Sequence, residues 1–84
     1  MDGNITIDIS SLYSATNTAR LSELDMYVNK ARNIAGEGNN IILTGEGPIW
    51  LYLKVAHALH GKAKKLIYKS PVAGEVVVFD HSPE

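Results

Sequence analysis

The sequence lacks cysteine and lacks an excess of charge of either sign. Without cysteine among its 84 residues, the chain can form neither disulfide bonds nor thiolate metal sites. Its formal net charge is −1, so no basic surface indicates binding to long duplex DNA. A small anionic ligand needs no such surface and stays compatible with this charge.

Long hydrophobic runs are also missing. No apolar stretch approaches the roughly 20 residues that span a membrane. The start of the chain, MDGNITIDIS, has neither a basic region nor an apolar run, so it does not resemble a secretory signal peptide. We expect a cytoplasmic protein without a membrane partner. At 84 residues it forms one domain, residues 1–84, whose core is small enough to benefit from a partner subunit.

Apolar periodicity predicts four strands and two helices. The predicted strands are residues 5–9, 40–44, 64–70 and 75–81. The predicted helices are residues 22–35, with Ser22 as N-cap, and residues 48–60, with Pro48 in the first helical position. The apolar face of the first helix comprises Leu24, Val28, Ala31 and Ile34 or Ala35. The segment from Ser10 to Leu21 is rich in Ser, Thr and Asn and is predicted to be a loop.

The element order β-α-β-α-β-β predicts a minimal Rossmann-like α/β domain. Helical crossovers make the first three strands parallel, and the last two form a hairpin that adds an antiparallel edge. Ligands of such sheets bind at the carboxyl ends of the strands. Ser10 and Ser11 follow the first strand at this edge, so they are candidate polar contacts to a ligand, although a solvated loop would look the same.

The segment TGEGPIWLYLKVAHALHG, Thr44 to Gly61, joins a strand, a glycine turn and a helix. Free N–H groups at the start of a helix, together with the helix dipole, favour an anion there. The turn is not a P-loop, because no Gly-Lys-Ser/Thr follows it. The alternative is a glycine turn that only connects strand to helix, and Glu46 within it would repel a phosphate unless its side chain points away or binds a metal.

The helix in this segment is apolar almost all round, and Lys54 is its only charged residue. Such a helix is covered on more than one side. One side faces the sheet, and we expect the other to face a second copy of the chain across a two-fold axis. That axis would suit a ligand that is itself two-fold symmetric.

Three histidines are candidates for chemistry. His57 and His60 are three residues apart, a spacing that suits a metal pair or an acid–base pair on one helix face. The alternative is one histidine packed at an interface and one solvated near the helix end. His81 ends the last strand beside Asp80, and consecutive strand residues point to opposite faces, so these two are not expected to pair.

Three blocks of sequence resemble a known family. They are Gly45-Glu-Gly-Pro-Ile-Trp-Leu-Tyr52, Val55-Ala-His-Ala-Leu-His60, and Gly74-x-Val-Val-Val78 with the terminal His81-Ser82. In this order and spacing they are similar to the small ring nucleases of type III CRISPR systems. The resemblance covers residues 40–82, about half the chain.

The resemblance implies a small dimeric α/β domain that receives cyclic tetra-adenylate at its two-fold axis and hydrolyses it. It implies manganese (Mn²⁺) as the metal, short oligoadenylate RNA as a further substrate, and dimers stacked about the ligand, so that catalytic groups come from the opposing dimer. The ligand contacts that the resemblance implies are Gly45, Gly47, Pro48 and Ile49, and Glu46 and Trp50 of the same segment are further candidates. The implied catalytic residues are His57, His60 and His81, among which we favour His60.

The chain departs from the family pattern at the end of the third strand. Where the family has Tyr-Asp-Pro-Arg, this chain has Tyr68-Lys69-Ser70-Pro71. Lys69 can contact a phosphate as a point charge but cannot replace a carboxylate that steers a base or a metal. Glu46 also stands where the family commonly has Arg or Ser.

Three functions therefore stay open. The chain is a ring nuclease, a catalytically inactive sensor or sink for the messenger, or a structural oligomerisation domain. Cleavage has two routes: attack by the ligand's own 2′-hydroxyl without metal, or a metal held between subunits by some of Glu46, Asp80 and the histidines. We favour the metal-free route, because no ligand set within one chain has a recognisable spacing.

Overall fold

The computed structural model describes residues 4–14 and 18–81. These residues form strands β1 (Asn4–Asp8), β2 (Asn40–Thr44), β3 (Lys65–Ser70) and β4 (Gly74–Asp80). The α-helices are α1 (Leu24–Ala35) and α2 (Ile49–Leu59), and short 3₁₀ helices cover Ile9–Tyr13 and Leu21–Glu23. No helix among the described residues is long and apolar enough to cross a membrane.

The strands form one sheet in the order β1-β2-β3-β4. β1 pairs with β2 and β2 with β3 in parallel, and β3 pairs with β4 antiparallel. The register places Leu43 opposite both Ile7 and Tyr68. A bulge follows Leu66 in the β3–β4 pair. This confirms the predicted fold class, a small Rossmann-like α/β sheet with an antiparallel edge hairpin.

Both helices pack on one face of the sheet, where α1 and α2 also contact each other. Alternation along each strand sends Ile7, Leu43 and Leu66 into this layer. The core between sheet and helices is aliphatic with one tyrosine: Ile7, Ile9, Leu12, Tyr27, Ala31, Ala35, Ile41, Leu43, Leu51, Val55, Leu59, Ala63 and Leu66. The opposite face of the sheet carries no helix in the described part of the chain.

The first strand and the loop after it differ from the prediction. Ile9 is not in the strand but begins a 3₁₀ helix within the segment predicted as a loop. The Asp8 carboxylate caps this helix, since its Oδ1 accepts hydrogen bonds from the Ser10 N–H at 2.9 Å and the Ser10 hydroxyl at 2.6 Å. Burial of Leu12 then holds the helix against the core. Residues 15–17 of the predicted loop lie outside the described residues.

The predicted N-cap of α1 was wrong, and its predicted apolar face was only partly right. Ser22 is not its N-cap, because it lies in the preceding 3₁₀ turn, and α1 begins at Leu24 without a side-chain cap. Its buried residues are Tyr27, Ala31 and Ala35, whereas Ile34 is 44% exposed. The hydroxyl of Tyr27 accepts a hydrogen bond from the Arg20 N–H at 3.0 Å, which lets a tyrosine occupy the core.

The start of α2 lies one residue later than predicted. Pro48 has an extended ψ of 149° and is the N-cap, and the first helical residue is Ile49. The Pro48 carbonyl accepts hydrogen bonds from the N–H groups of Leu51 and Tyr52 at 3.1 and 3.3 Å. Proline suits this place because a cap position needs no N–H donor. The edges of the last two strands shift by one residue, so that β4 begins at Gly74 and ends before His81.

Candidate functional site

The glycine turn between β2 and α2 fits against the end of β1 without room for a side chain. Gly45 has a φ of +99°, and a Cβ there would lie 2.1 Å from Oδ1 of Asp8. A Cβ on Gly47 would lie 2.3 Å from Cγ2 of Ile9. Local packing therefore requires glycine at both positions, and the positive φ of Gly45 favours glycine there as well.

Two tyrosine hydroxyls hold the backbone of this turn. Tyr52, on α2, donates a short hydrogen bond to the carbonyl of Gly45. Tyr13, at the end of the first 3₁₀ helix, donates to the carbonyl of Glu46 at 2.8 Å. Burial raises the pKa of Tyr52 to about 12, and the neighbouring Tyr68 adds to the shift. Neither contact was predicted from the sequence.

The turn forms one wall of a pocket of about 240 Å³ at the carboxyl edge of the sheet. Its lining comes from the β2–α2 turn and from the β3–β4 hairpin: Thr44, Gly45, Glu46, Lys69, Ser70 and Pro71. The Thr44 hydroxyl donates to the Lys69 carbonyl at 3.3 Å and ties the two walls together. Lys69, predicted as a ligand contact, thus lies at the same pocket as Gly45 and Glu46.

The remaining predicted ligand contacts occupy different environments. Ile49 is 77% exposed next to the turn, whereas Trp50 is half-buried and packs against the core. Ser10 and Ser11 lie at the carboxyl end of β1 as predicted, but their hydroxyls donate to the Asp8 carboxylate and the Asp8 carbonyl, each at 2.6 Å. Both serines are bonded to Asp8, the residue that caps the 3₁₀ helix, so a ligand would have to compete with Asp8 for them.

Two of the three histidines lie together at the other end of α2. Nε2 of His60 is 3.1 Å from Nε2 of His81. The Phe79 ring packs on both imidazoles, with ring centroids 5.0 Å from His60 and 4.9 Å from His81. His57 is exposed and forms no side-chain hydrogen bond with the described residues. Ser82, the other half of the terminal His-Ser element, lies outside the described residues.

The histidine pair and the glycine turn lie at opposite edges of the sheet. α2 starts at the turn and is 11 residues long, or about 16 Å, before it reaches His60. His81 follows Asp80, which pairs with Lys65 at the start of β3, and the His81 N–H donates to the Lys64 carbonyl at 2.8 Å. Within one chain, therefore, the predicted ligand contacts and the predicted catalytic histidines do not meet.

The donor side chains of one chain do not fit a manganese site. No three His, Asp or Glu side chains converge among the described residues, and the histidine pair alone supplies two nitrogen donors. Glu46 lies at the turn, at the far end of α2 from that pair.

A larger groove, of about 310 Å³, runs between α2 and the β3–β4 hairpin and is almost wholly apolar. Ile49 and Leu53 are 77% and 65% exposed along its α2 side, and Val78 is 48% exposed on its strand side. None of the residues that line this groove belongs to α1. Its chemistry suits a packing surface and not an anionic ligand.

Comparison with known proteins shows which family this chain belongs to. Residues 16–84 match the CRISPR-associated protein family Cas_csx3. An uncharacterized protein of Aquifex aeolicus (strain VF5) is 42% identical over 43 residues, which are 51% of this chain and 39% of that protein. The match thus spans well under half the length of that relative, and no solved structure matches the chain. Because the family match covers most of the sequence, the chain belongs to the Cas_csx3 family of CRISPR-associated proteins.

Proposed function

We propose that this protein binds cyclic tetra-adenylate, a phosphodiester ring with two-fold symmetry, and cleaves it as a ring nuclease in the antiviral regulation of type III CRISPR systems. One observation carries the proposal: the β2–α2 turn forms a pocket with Lys69 at the carboxyl edge of the sheet. Backbone amides of a turn and a lysine are a chemical match for phosphate oxygens. Membership of a CRISPR-associated family supports the biological setting.

The reaction needs more than one copy of the chain. The turn lies at one edge of the sheet and the His60–His81 pair at the other, with α2 between them. A ligand on the turn of one copy therefore reaches the histidines of another copy. Two dimers stacked about the ligand satisfy this requirement.

The apolar groove supports a dimer. Ile49, Leu53 and Val78 expose apolar surface that a domain of 84 residues would gain stability by burying. A two-fold interface along α2 would also bring two glycine turns to one surface, because Ile49 directly follows the turn. A ligand with two equivalent halves fits that arrangement.

Cleavage follows from the chemistry of RNA together with the histidine pair. The 2′-hydroxyl of one adenosine attacks the adjacent phosphorus, the bond from phosphorus to the 5′-oxygen breaks, and a 2′,3′-cyclic phosphate forms. One imidazole takes the proton of the 2′-hydroxyl, and another gives a proton to the leaving 5′-oxygen. The turn amides and Lys69 hold the phosphate and stabilise its developing charge. Two such cuts convert the ring into linear di-adenylate.

A second candidate is a sensor or sink that binds the messenger without cleaving it. The pocket has Lys69 and Pro71 where an acidic and an arginine residue would complete a catalytic site, and Glu46 is its only carboxylate among the described lining residues. A third, a structural oligomerisation domain, is favoured by the packing that already requires glycine at positions 45 and 47.

Incubation of the pure protein with cyclic tetra-adenylate separates these functions. Binding is followed by calorimetry and products by chromatography, with manganese and with a chelator in parallel, and with linear oligoadenylate as a second substrate. Conversion to linear di-adenylate supports the nuclease, and its rate with the chelator tests the metal-free route. Binding without conversion supports the sensor. Absence of binding contradicts both and leaves the oligomerisation domain.

A further inference from the structure

The carbonyl groups of the glycine turn are fixed by two hydroxyls that reach it from separate elements. Tyr13 comes from the first 3₁₀ helix and bonds the Glu46 carbonyl, and Tyr52 comes from α2 and bonds the Gly45 carbonyl. Each phenol is in turn braced by another ring. The Tyr52 ring lies edge-on to Tyr68 at 5.2 Å, and the Tyr13 ring lies edge-on to Tyr27 at 6.2 Å.

The direction of each carbonyl fixes the direction of the N–H group in the same peptide unit. In a trans peptide the C=O of one residue and the N–H of the next point in opposite directions. The described residues contain no cis peptide bond. Because the carbonyls of Gly45 and Glu46 point at the tyrosines, the N–H groups of Glu46 and Gly47 point away from them.

These two N–H groups form no hydrogen bond within the described part of the chain. Free backbone N–H groups in a turn can donate hydrogen bonds to an anionic oxygen. The turn also packs closely against Asp8 and Ile9, since a Cβ on Gly45 or Gly47 would clash with them. The tyrosine hydroxyls are therefore bonded to the two carbonyls whose direction sets that of the amides.

We propose that Tyr13 and Tyr52 are positioning residues that aim the Glu46 and Gly47 amides at a phosphate of the ligand. This inference rests on the proposed function for the identity of the ligand, a phosphodiester. The part of the inference that concerns the orientation of the turn does not depend on the proposed function. Neither tyrosine touches the phosphate, so their effect on binding is indirect and passes through the backbone.

The test uses Tyr13→Phe and Tyr52→Phe, which remove only the hydroxyl. Tyr27→Phe is the matched control, because it keeps the ring that packs on Tyr13 and deletes a phenol hydroxyl bonded at Arg20 and not at the turn. In the free protein, the amide NMR resonances of Glu46 and Gly47 are expected to move in the first two variants and to stay in the control. Unmoved resonances in Tyr13→Phe and Tyr52→Phe would overturn the inference.

Affinity for cyclic tetra-adenylate supplies the second readout. Loss of one neutral hydrogen bond corresponds to a decrease of about three- to tenfold in Tyr52→Phe, compared with less than about twofold in Tyr27→Phe. Equal affinity losses in both would show a general effect of stability and would overturn the positioning role. If the wild-type protein fails to bind the messenger, the proposed function fails, and the amide resonances still decide whether the tyrosines orient the turn.

Discussion

Nε2 of His60 and Nε2 of His81 lie 3.1 Å apart, although 21 residues separate them along the chain. At this distance one ring nitrogen donates a hydrogen bond and the other accepts it. The tautomers of the two rings decide which nitrogen is the donor. Phe79 supports both rings from one side.

We predict that His60→Ala and His81→Ala each reduce cleavage of cyclic tetra-adenylate by at least about a hundredfold, which is the usual contribution of a general acid or base. Affinity for the ligand is expected to change little, because the turn amides and Lys69 hold the phosphate in the proposed site. Single-turnover rates and calorimetry measure the two quantities separately.

Lys54→Ala is the control for these variants. Lys54 is exposed on the same helix and lines neither the glycine-turn pocket nor the apolar groove. The control variant is expected to cleave at the wild-type rate. Retained cleavage in both histidine variants would contradict the assignment of the pair.

The glycine turn is expected to tolerate no side chain. Gly45→Ala combines a positive φ with a contact of 2.1 Å to the Asp8 carboxylate, and Gly47→Ala meets Ile9 at 2.3 Å. Each is predicted to decrease the free energy of unfolding by about 1–3 kcal/mol. Denaturant titration measures the change.

Gly61→Ala is the matched control for the turn variants, because a Cβ at Gly61 would meet no atom within 4 Å. We expect its unfolding midpoint to stay close to that of the wild type. If Gly45→Ala proved as stable as Gly61→Ala, the packing of the turn against β1 would be wrong.

Two parts of the fold show what the sequence could and could not predict. β2 was predicted to the residue, because an apolar run lies between Asn40 and Gly45. The 3₁₀ helix after β1 was missed, because the Asp8–Ser10 hydrogen bonds that cap it come from residues that are also typical of loops.

The candidate site was predicted only in its local parts. The glycine turn and the helix start are contiguous, so their spacing was enough to identify them. The contact of Tyr13 with Glu46 spans 33 residues, and that of His60 with His81 spans 21. Neither follows any helical or strand period, so pairing at these distances becomes visible only once the sheet register is known.

Stability is predicted to fall at alkaline pH through Tyr52. Its pKa is raised by burial to about 12 in the folded protein, compared with the ordinary value of 10.0. Between these two values the unfolded chain loses the proton while the folded chain keeps it, so stability decreases as pH rises across that range. Below pH 10.0 this contribution is fully present.

The decrease should be smaller in Tyr52→Phe, which has no phenol to ionise at this position. Denaturant titrations of both proteins across the alkaline range give the two slopes. Identical slopes would mean that the Tyr52 hydroxyl is as accessible to solvent in the folded protein as in the unfolded chain.

The apolar groove is predicted to be the dimer interface. Leu53→Glu places a charge on a side chain that is 65% exposed in one chain but buried in the proposed dimer, and it should yield monomers. Leu21→Glu is the control, because Leu21 is 67% exposed outside the groove. Sedimentation velocity compares them. A Leu53→Glu protein that remained as associated as the wild type would exclude this surface as the interface.

The most direct test of a site shared between copies is to mix two inactive variants. One carries Gly45→Val and cannot form the turn, and the other carries His60→Ala and lacks the histidine pair. Because each copy supplies the part that the other lacks, the mixture is predicted to cleave cyclic tetra-adenylate faster than either variant alone. The shared site would be contradicted if the wild type cleaved the ring but the mixture cleaved it no faster than either variant alone.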